Sequence, residues 1–363
     1  MKNIITYKNQ LNRIAELGWQ EIKTTAYIAE QLKAQPLKRG FAKTNSGLLY
    51  KIGRGKRSIL LRADIDGLKT AHGIAHSCGH STHMASLMGA FLEAQKWEDE
   101  LTRQNKALYF LFQPAEETFP SGAVTFTKEC SDIVKTLTAA FTIHVRPLME
   151  LDHIGLQVGP VWARGDYMEI TVTGKMTHIK NNDKGVDALY GASLLVQKIH
   201  ALQKRYPSIR IGVGVMEAGR QANTVADLAI LKGDIRLKND SQQHMIKKRL
   251  FEACSEVERI TGTHIALSYF DGYPCVYNDR ELTKTVKRSI SGTLGSKIIT
   301  KGLFSYGCED FAYIASKMPS VTAFIGTGDK HDIHEELCTI SDQGTMNAYH
   351  YFKAVVLWFV QSQ

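Results

Sequence analysis

At 363 residues, with 44% hydrophobic and 22% charged positions, the chain is long enough for one large domain or two ordinary ones and is not a disordered polymer. No apolar run approaches the roughly 18 residues of a membrane helix, and the opening MKNIITYKNQLNRIAELGWQ lacks the apolar stretch of a signal peptide, so a cytoplasmic protein with no membrane partner is expected. The formal net charge is +9 and the pI about 9.1, yet the basic residues are scattered rather than striped, which reads as a basic but ordinary enzyme surface rather than a nucleic-acid interface, with a field that can attract anionic substrates.

Residues 2–35 read as one amphipathic helix, with Ile5, Leu11, Ile14, Leu17 and Ile28 among its apolar positions. Two strand-like runs follow, GLLYKIG (47–53) and SILLRA (58–63), then a helix candidate MASLMGAFLEAQKW (84–97) and the continuously apolar ALYFLF (107–112). Strands with helices between them, apolar on both faces, predict an α/β sandwich. The middle differs. YMEITVTG (167–174), a helix at 187–204, IRIGVGVME (209–217), LAILKGDIRL (228–237), a helix at 241–260 and HIALSYF (264–270) give the order β-α-β-β-α-β of a ferredoxin-like unit. From about residue 275 the α/β style returns, with SVTAFIG (320–326) and a closing helix over 347–361. The expected organisation is a discontinuous catalytic domain, 1–164 and 274–363, interrupted by an inserted α+β domain at 165–273.

The chemistry gathers where strands end. RADIDGL (62–68) sets Asp64 and Asp66 just past a buried strand, where an unpaired acid is costly and support for a metal ligand or a base is the functional reading. HSCGHSTH (76–83) places His76, Cys78, His80 and His83 within one short run, and imidazole and thiolate are the donors that borderline-soft transition metals prefer. Gly79 lets Cys78 and His80 turn toward one point. FQPAEETFPSGA (112–123) carries adjacent carboxylates, Glu116 and Glu117, that can divide labour between holding a metal and moving a proton. His144 in FTIHVRP and His334 in GTGDKHDIHEEL each follow an apolar strand. None of the six cysteines forms a CxxC pair, and their wide spacing argues against a disulfide framework.

Together these motifs resemble the M20 metallopeptidase and amidohydrolase family, in particular the branch of aminoacylases, hippurate hydrolase, plant auxin-conjugate amidohydrolases and N-acetyl-diaminopimelate deacetylase. The likeness runs nearly the whole chain, through AELGWQEIKTT, RADIDGL, HSCGHSTH, FQPAEE, IHVRP, YGCEDFAY and IHEEL. It implies an α/β metallo-exopeptidase-like catalytic domain with an inserted lid and dimerisation domain, and hence a homodimer or higher oligomer. Cys78, His80, Glu117, His144 and His334 would hold one or two divalent ions (zinc, manganese, cobalt or nickel). Glu116 would be the general base that activates the metal's water and later the acid, with Asp66 in support. In the lid, His178 would stabilise the tetrahedral intermediate, often across a dimer interface, and Asn223 and Arg236 would hold an N-acyl amino acid or dipeptide. The implied activity is amide hydrolysis; a dipeptidase or carboxypeptidase of the same fold, or a non-catalytic binding homologue, are the alternatives. Three departures stand out: Ser81 replaces the family's usual aspartate, the stretch from Gly67 to His76 is short, and the lid reads MTHIKNN.

Overall fold

The computed structural model describes residues 2–291, 297–335 and 338–362, so the last two residues of the IHEEL run lie outside the described residues. The chain separates into two compact units: Met1–Val161, Tyr277–Leu303 and Asp310–Gln363 in one, and Trp162–Val276 with Phe304–Glu309 in the other.

The first unit is built on an eight-stranded sheet. Its spatial order is Lys38–Arg39, Leu48–Ile52, Lys106–Gln113, Arg57–Asp64, Leu137–Arg146, Ser320–Gly326, His153–Gly155 and Lys297–Ile299. The four central strands, from Lys106–Gln113 to Ser320–Gly326, run parallel. Two of them, KALYFLFQ and SVTAFIG, are buried at every position, as strands covered on both faces must be. Helix His80–Gln95 is buried along most of its length and packs against Lys2–Arg13 and Asp342–Gln361, with Met84, Leu87, Met88 and Phe91 joined to Tyr351, Phe352 and Val355 in one apolar core. Because the four central strands are parallel, their C-terminal ends share one edge of the sheet, and the motif-bearing turns all leave from that edge.

One expectation for this unit fails. The helix anticipated over 2–35 is two helices, Lys2–Arg13 and Ile22–Leu32. Between them Trp19 holds a left-handed backbone (φ 66°), and a Cβ at Gly18 would meet the Thr118 hydroxyl at 2.5 Å. Apolar spacing carries across the break, so periodicity alone could not reveal it.

The second unit is a four-stranded antiparallel sheet in the order Ile209–Ala218, Leu228–Leu237, Arg164–Thr173, His264–Tyr273, with helices Ala188–Arg205 and Gln242–Thr261 in the two crossovers. Numbered along the chain, its strands lie 2-3-1-4, the ferredoxin-like arrangement. Alternate residues of the first strand, Met168, Ile170 and Val172, pack with Leu195, Ile199, Leu250 and Val257 from the helices. Phe304–Glu309, which the sequence places with the catalytic segment, packs here instead. Ala163 N donates to Ser305 O and Gly307 O at 3.0 Å each, Tyr306 Oη donates to Ser208 O at 3.1 Å, and Arg210 lies over the Tyr306 ring.

Candidate metal centre

Each central strand of the first unit delivers part of one cluster. Arg57–Asp64 leads to Asp66, Lys106–Gln113 to Glu116 and Glu117, Leu137–Arg146 carries His144 near its end, and Ser320–Gly326 leads to His334. Cys78 and His80 arrive from the turn that opens helix His80–Gln95. Gly79 caps that helix at φ 87°, and a Cβ there would stand 2.3 Å from Val145 Cγ2, so only glycine permits this approach.

The candidate ligands converge. Cys78 Sγ lies 3.4 Å from His144 Nε2 and 3.3 Å from His334 Nε2, and His334 Nε2 lies 3.4 Å from Glu117 Oε1. Donor atoms of Cys78, His80 and His144, of Cys78, Glu117 and His334, and of His80, Glu116 and Glu117 form triads within 4.8 Å. Among the described residues His80 Nε2 is buried without a hydrogen-bond partner, and Glu117 Oε1, equally buried, has the 3.4 Å approach of His334 alone; buried polar atoms are seldom left so. A mixed thiolate, imidazole and carboxylate set with orphaned donors aimed inward fits a zinc-like divalent ion.

The surroundings orient these groups. Asp66 O accepts from His80 Nδ1 and from His76 Nδ1, both at 2.9 Å, and Asp66 Oδ2 accepts the Glu117 N–H at 2.9 Å. His83 is held on both nitrogens, by Asp64 Oδ1 at 2.6 Å and by the Val145 N–H at 3.1 Å. The four donors of HSCGHSTH therefore divide: Cys78 and His80 face the cluster, while His76 and His83 anchor its frame. Beneath lies an ion network without solvent exposure. Arg62 donates to Asp64 Oδ2 at 2.8 Å, to Asp310 Oδ1 at 2.7 Å and to Gln113 Oε1 at 2.9 Å, and the Asp310 N–H points at Glu116 Oε1 at 3.4 Å.

Electrostatics differ from ligand to ligand. Burial opposes a charge on His80, but the Asp64, Asp66 and Glu117 carboxylates outweigh it and push its pKa up to about 10. Burial, joined by the neighbouring His83, drives His144 down to about 3, which keeps it neutral and able to ligate. Asp310 is raised to about 6, by burial against the opposing pull of Arg62. Arg62, Gln113 and Asp310 escaped the reading of the sequence, and His83, read there with the metal donors, serves the frame instead. The one available signal was Arg62, a charge inside the run SILLRADID, two residues from Asp64 and so on the same face of the strand.

The lid residues behave differently. His178 and Asn223 are exposed and adjacent: His178 bridges Thr224, Asn223 O accepts the Ile179 N–H at 2.9 Å, and His178 Nδ1 accepts the Lys180 N–H at 3.2 Å. Arg236 lies at the other end of its sheet. It pairs with Gly165, whereas Leu228 pairs with Thr173, so eight residues of strand, roughly 26 Å at the usual rise, lie between. Its guanidinium is bidentate on Asp234, at 2.6 and 2.8 Å, with Nη1 2.5 Å from Cys308 Sγ. The structure thus brings His178 and Asn223 together and sets Arg236 apart from both.

A parallel-strand edge that gathers thiol, imidazole and carboxylate, in a chain with a ferredoxin-like insertion, marks a two-domain metal-dependent hydrolase. The chain belongs to peptidase family M20/M25/M40, whose model matches residues 60–357. It is 28% identical over 367 residues to the N-acetyl-L-cysteine deacetylase of Bacillus subtilis (strain 168), covering 96% of this chain and 86% of that one. It is 27% identical over 373 residues to the N-acetyldiaminopimelate deacetylase of the same organism, covering 96% of each. A solved Bacillus subtilis structure, described as a dinuclear metal-binding peptidase of family M20, matches with a TM-score of 0.86 at 24% identity, over 100% of this chain and 99% of the other. The aminopeptidase of Bacillus cereus matches at 0.77 and 16% identity over 98% of each chain. The fold is therefore that of M20 peptidases, a catalytic domain with a lid domain. Among the described residues no helix is long and apolar enough to cross a membrane.

Proposed function

We propose that this hydrolase cleaves the amide bond of N-acylated amino acids or related small conjugates, with Glu116 as its acid–base group. The observation that carries the reading is the pair Glu116 and Glu117: both have a carboxylate oxygen within 4.8 Å of a His80 nitrogen, and Glu117 also belongs to a triad with Cys78 and His334. Cys78, His80, Glu117, His144 and His334 would hold one or two divalent ions, which when bound supply Lewis acidity toward water and an amide carbonyl. Glu116 then takes the proton of the attacking water and returns it to the leaving nitrogen, while the Asp310 N–H steadies its Oε1. Asp66 holds His80 by its carbonyl and the Glu117 backbone by its carboxylate, which makes it an orienting group in this scheme. The deacetylase names of the two Bacillus subtilis relatives support an acylated amino acid as substrate.

In the lid, Arg236 is assigned the substrate carboxylate, through the Nη1 that Asp234 does not engage. His178 is assigned the oxyanion, with Asn223 beside it. A small acyl amino acid cannot bridge roughly 26 Å of strand, so both assignments hold together only if one of them, taken here to be His178 with Asn223, comes from a second copy of the chain. A homodimer is accordingly part of the proposal.

Hydrolysis of N-acetyl, N-benzoyl and dipeptide panels by the metal-reconstituted protein tests the reading. Turnover of acyl amino acids above dipeptides is expected. Preference for dipeptides would make it an exopeptidase, and turnover of neither would leave a binding protein.

A further inference from the structure

The break between the first two helices touches both loops that build the metal centre. Glu21, in the AELGWQEIKTT run and apart in sequence from the ligand-bearing motifs, is completely buried, and its Oε1 accepts the Ala115 N–H at 2.7 Å, with the Ser46 hydroxyl beside the carboxyl. Ala115 directly precedes Glu116 and Glu117 and holds a left-handed backbone, φ 53°, that a residue with a Cβ adopts only under restraint. Its carbonyl accepts the Gly122 N–H at 2.9 Å, closing the loop. Two residues before Glu21, Trp19 Nε1 donates to Pro120 O at 2.9 Å. On the other side Glu16 O accepts the Gly67 N–H at 2.7 Å, next to Asp66.

We propose that Glu21 is a positioning residue for the reaction, a buried acceptor that holds Ala115 in its left-handed turn and so aims Glu116 and Glu117 at the cluster. This rests on the reading of those glutamates given above. That hydrogen bond engages the Ala115 N–H, and a strained turn relaxes when its restraint is removed. Glutamine keeps an acceptor oxygen of the same reach; alanine keeps none. The role therefore predicts different behaviour from two substitutions of one residue.

The test compares Glu21→Gln and Glu21→Ala in the full chain by two readouts, hydrolysis and Co²⁺ titration followed by the visible ligand-field spectrum. Outer-shell partners of a metal site typically carry 10- to 100-fold in affinity or activity. Glu21→Ala should weaken Co²⁺ binding and kcat by about tenfold or more with KM little changed, and Glu21→Gln should keep both within about threefold. Trp19→Phe, which removes only the bond to Pro120 O, should give a smaller loss of the same kind and serves where Glu21→Ala does not fold. Equal loss in Gln and Ala, or wild-type Co²⁺ affinity in Ala, would overturn the proposal. If the wild type binds Co²⁺ but hydrolyses no substrate, the functional reading fails while the titration still decides the role of Glu21.

Discussion

Cys78, His80 and His144 are buried at the strand ends with nearly every neighbour accounted for, whereas His178 and Asn223 in the inserted unit are exposed and held by their own backbone. The first set stands on a buried frame: Asp66 O holds His80, Arg62 and His83 hold Asp64, and Arg62 holds Asp310, and the cost of burying such charges is met only while all partners are present. The second set has nothing comparable around it. A preformed centre thus stands in one unit, while the other offers groups whose use depends on what meets them.

Substitutions can break that contrast. The largest effect is expected in the preformed centre, where Cys78→Ala and His80→Ala should each abolish hydrolysis and lower bound metal with the circular dichroism unchanged. Full metal and activity in Cys78→Ala would remove the thiol from the ligand set. Next comes the division between the glutamates. Glu116→Gln should cost at least roughly 10²-fold in kcat and keep its metal, while Glu117→Gln should lose metal; the reverse pattern would exchange their roles. For the exposed set, loss of one oxyanion donor costs about 2.7–4 kcal/mol of barrier, so His178→Ala should lower kcat by roughly 10²–10³-fold with metal content intact. Mixing it with Glu116→Gln should restore activity if the donor comes from a partner subunit. No recovery despite proven subunit exchange would refute the trans assignment.

The last effect falls on stability rather than activity, and it is one of pH. Burial first, and the charge of Asp66 next, raise the Glu21 pKa from 4.5 to about 8. Below about pH 4.5 folded and unfolded chains both keep this proton. Between there and about pH 8 only the folded chain does, so stability drains away as pH rises, at about 1.4 kcal/mol per unit of pKa difference. Glu21→Gln cannot ionise, so its melting temperature relative to wild type should climb from pH 5 to 8.5. A constant difference across that range would mean that Glu21 titrates normally.

The contrast also sorts what sequence could reveal. ALYFLF and SVTAFIG announce their strands because both faces are apolar, and HSCGH and EE announce themselves because their donors are neighbours in the chain. His83 looks like one more ligand in HSCGHSTH; only the fold shows that Asp64 and the Val145 N–H occupy both its nitrogens. Asp310 and Arg62 meet across 248 positions, and no local pattern encodes that pairing. In the lid the β-α-β-β-α-β order was readable from alternation alone. His178, Asn223 and Arg236 were named only by family likeness, since singly each is an ordinary surface residue.

Phe304–Glu309 has a bearing on how such proteins can be rebuilt. The lid is made from two lengths of chain, so the polypeptide crosses between units four times rather than twice. Replacing 162–276 alone with a piece of a relative that lacks Arg210 and Arg236 would leave Tyr306 and Cys308 without the side chains that now lie against them. A chimaera that swaps 304–309 together with 162–276 keeps those contacts within one parent. Recombination that respects both segments should give soluble hybrids where single-segment exchange gives aggregates, and the same paired inheritance should constrain any selection for new specificity in the lid.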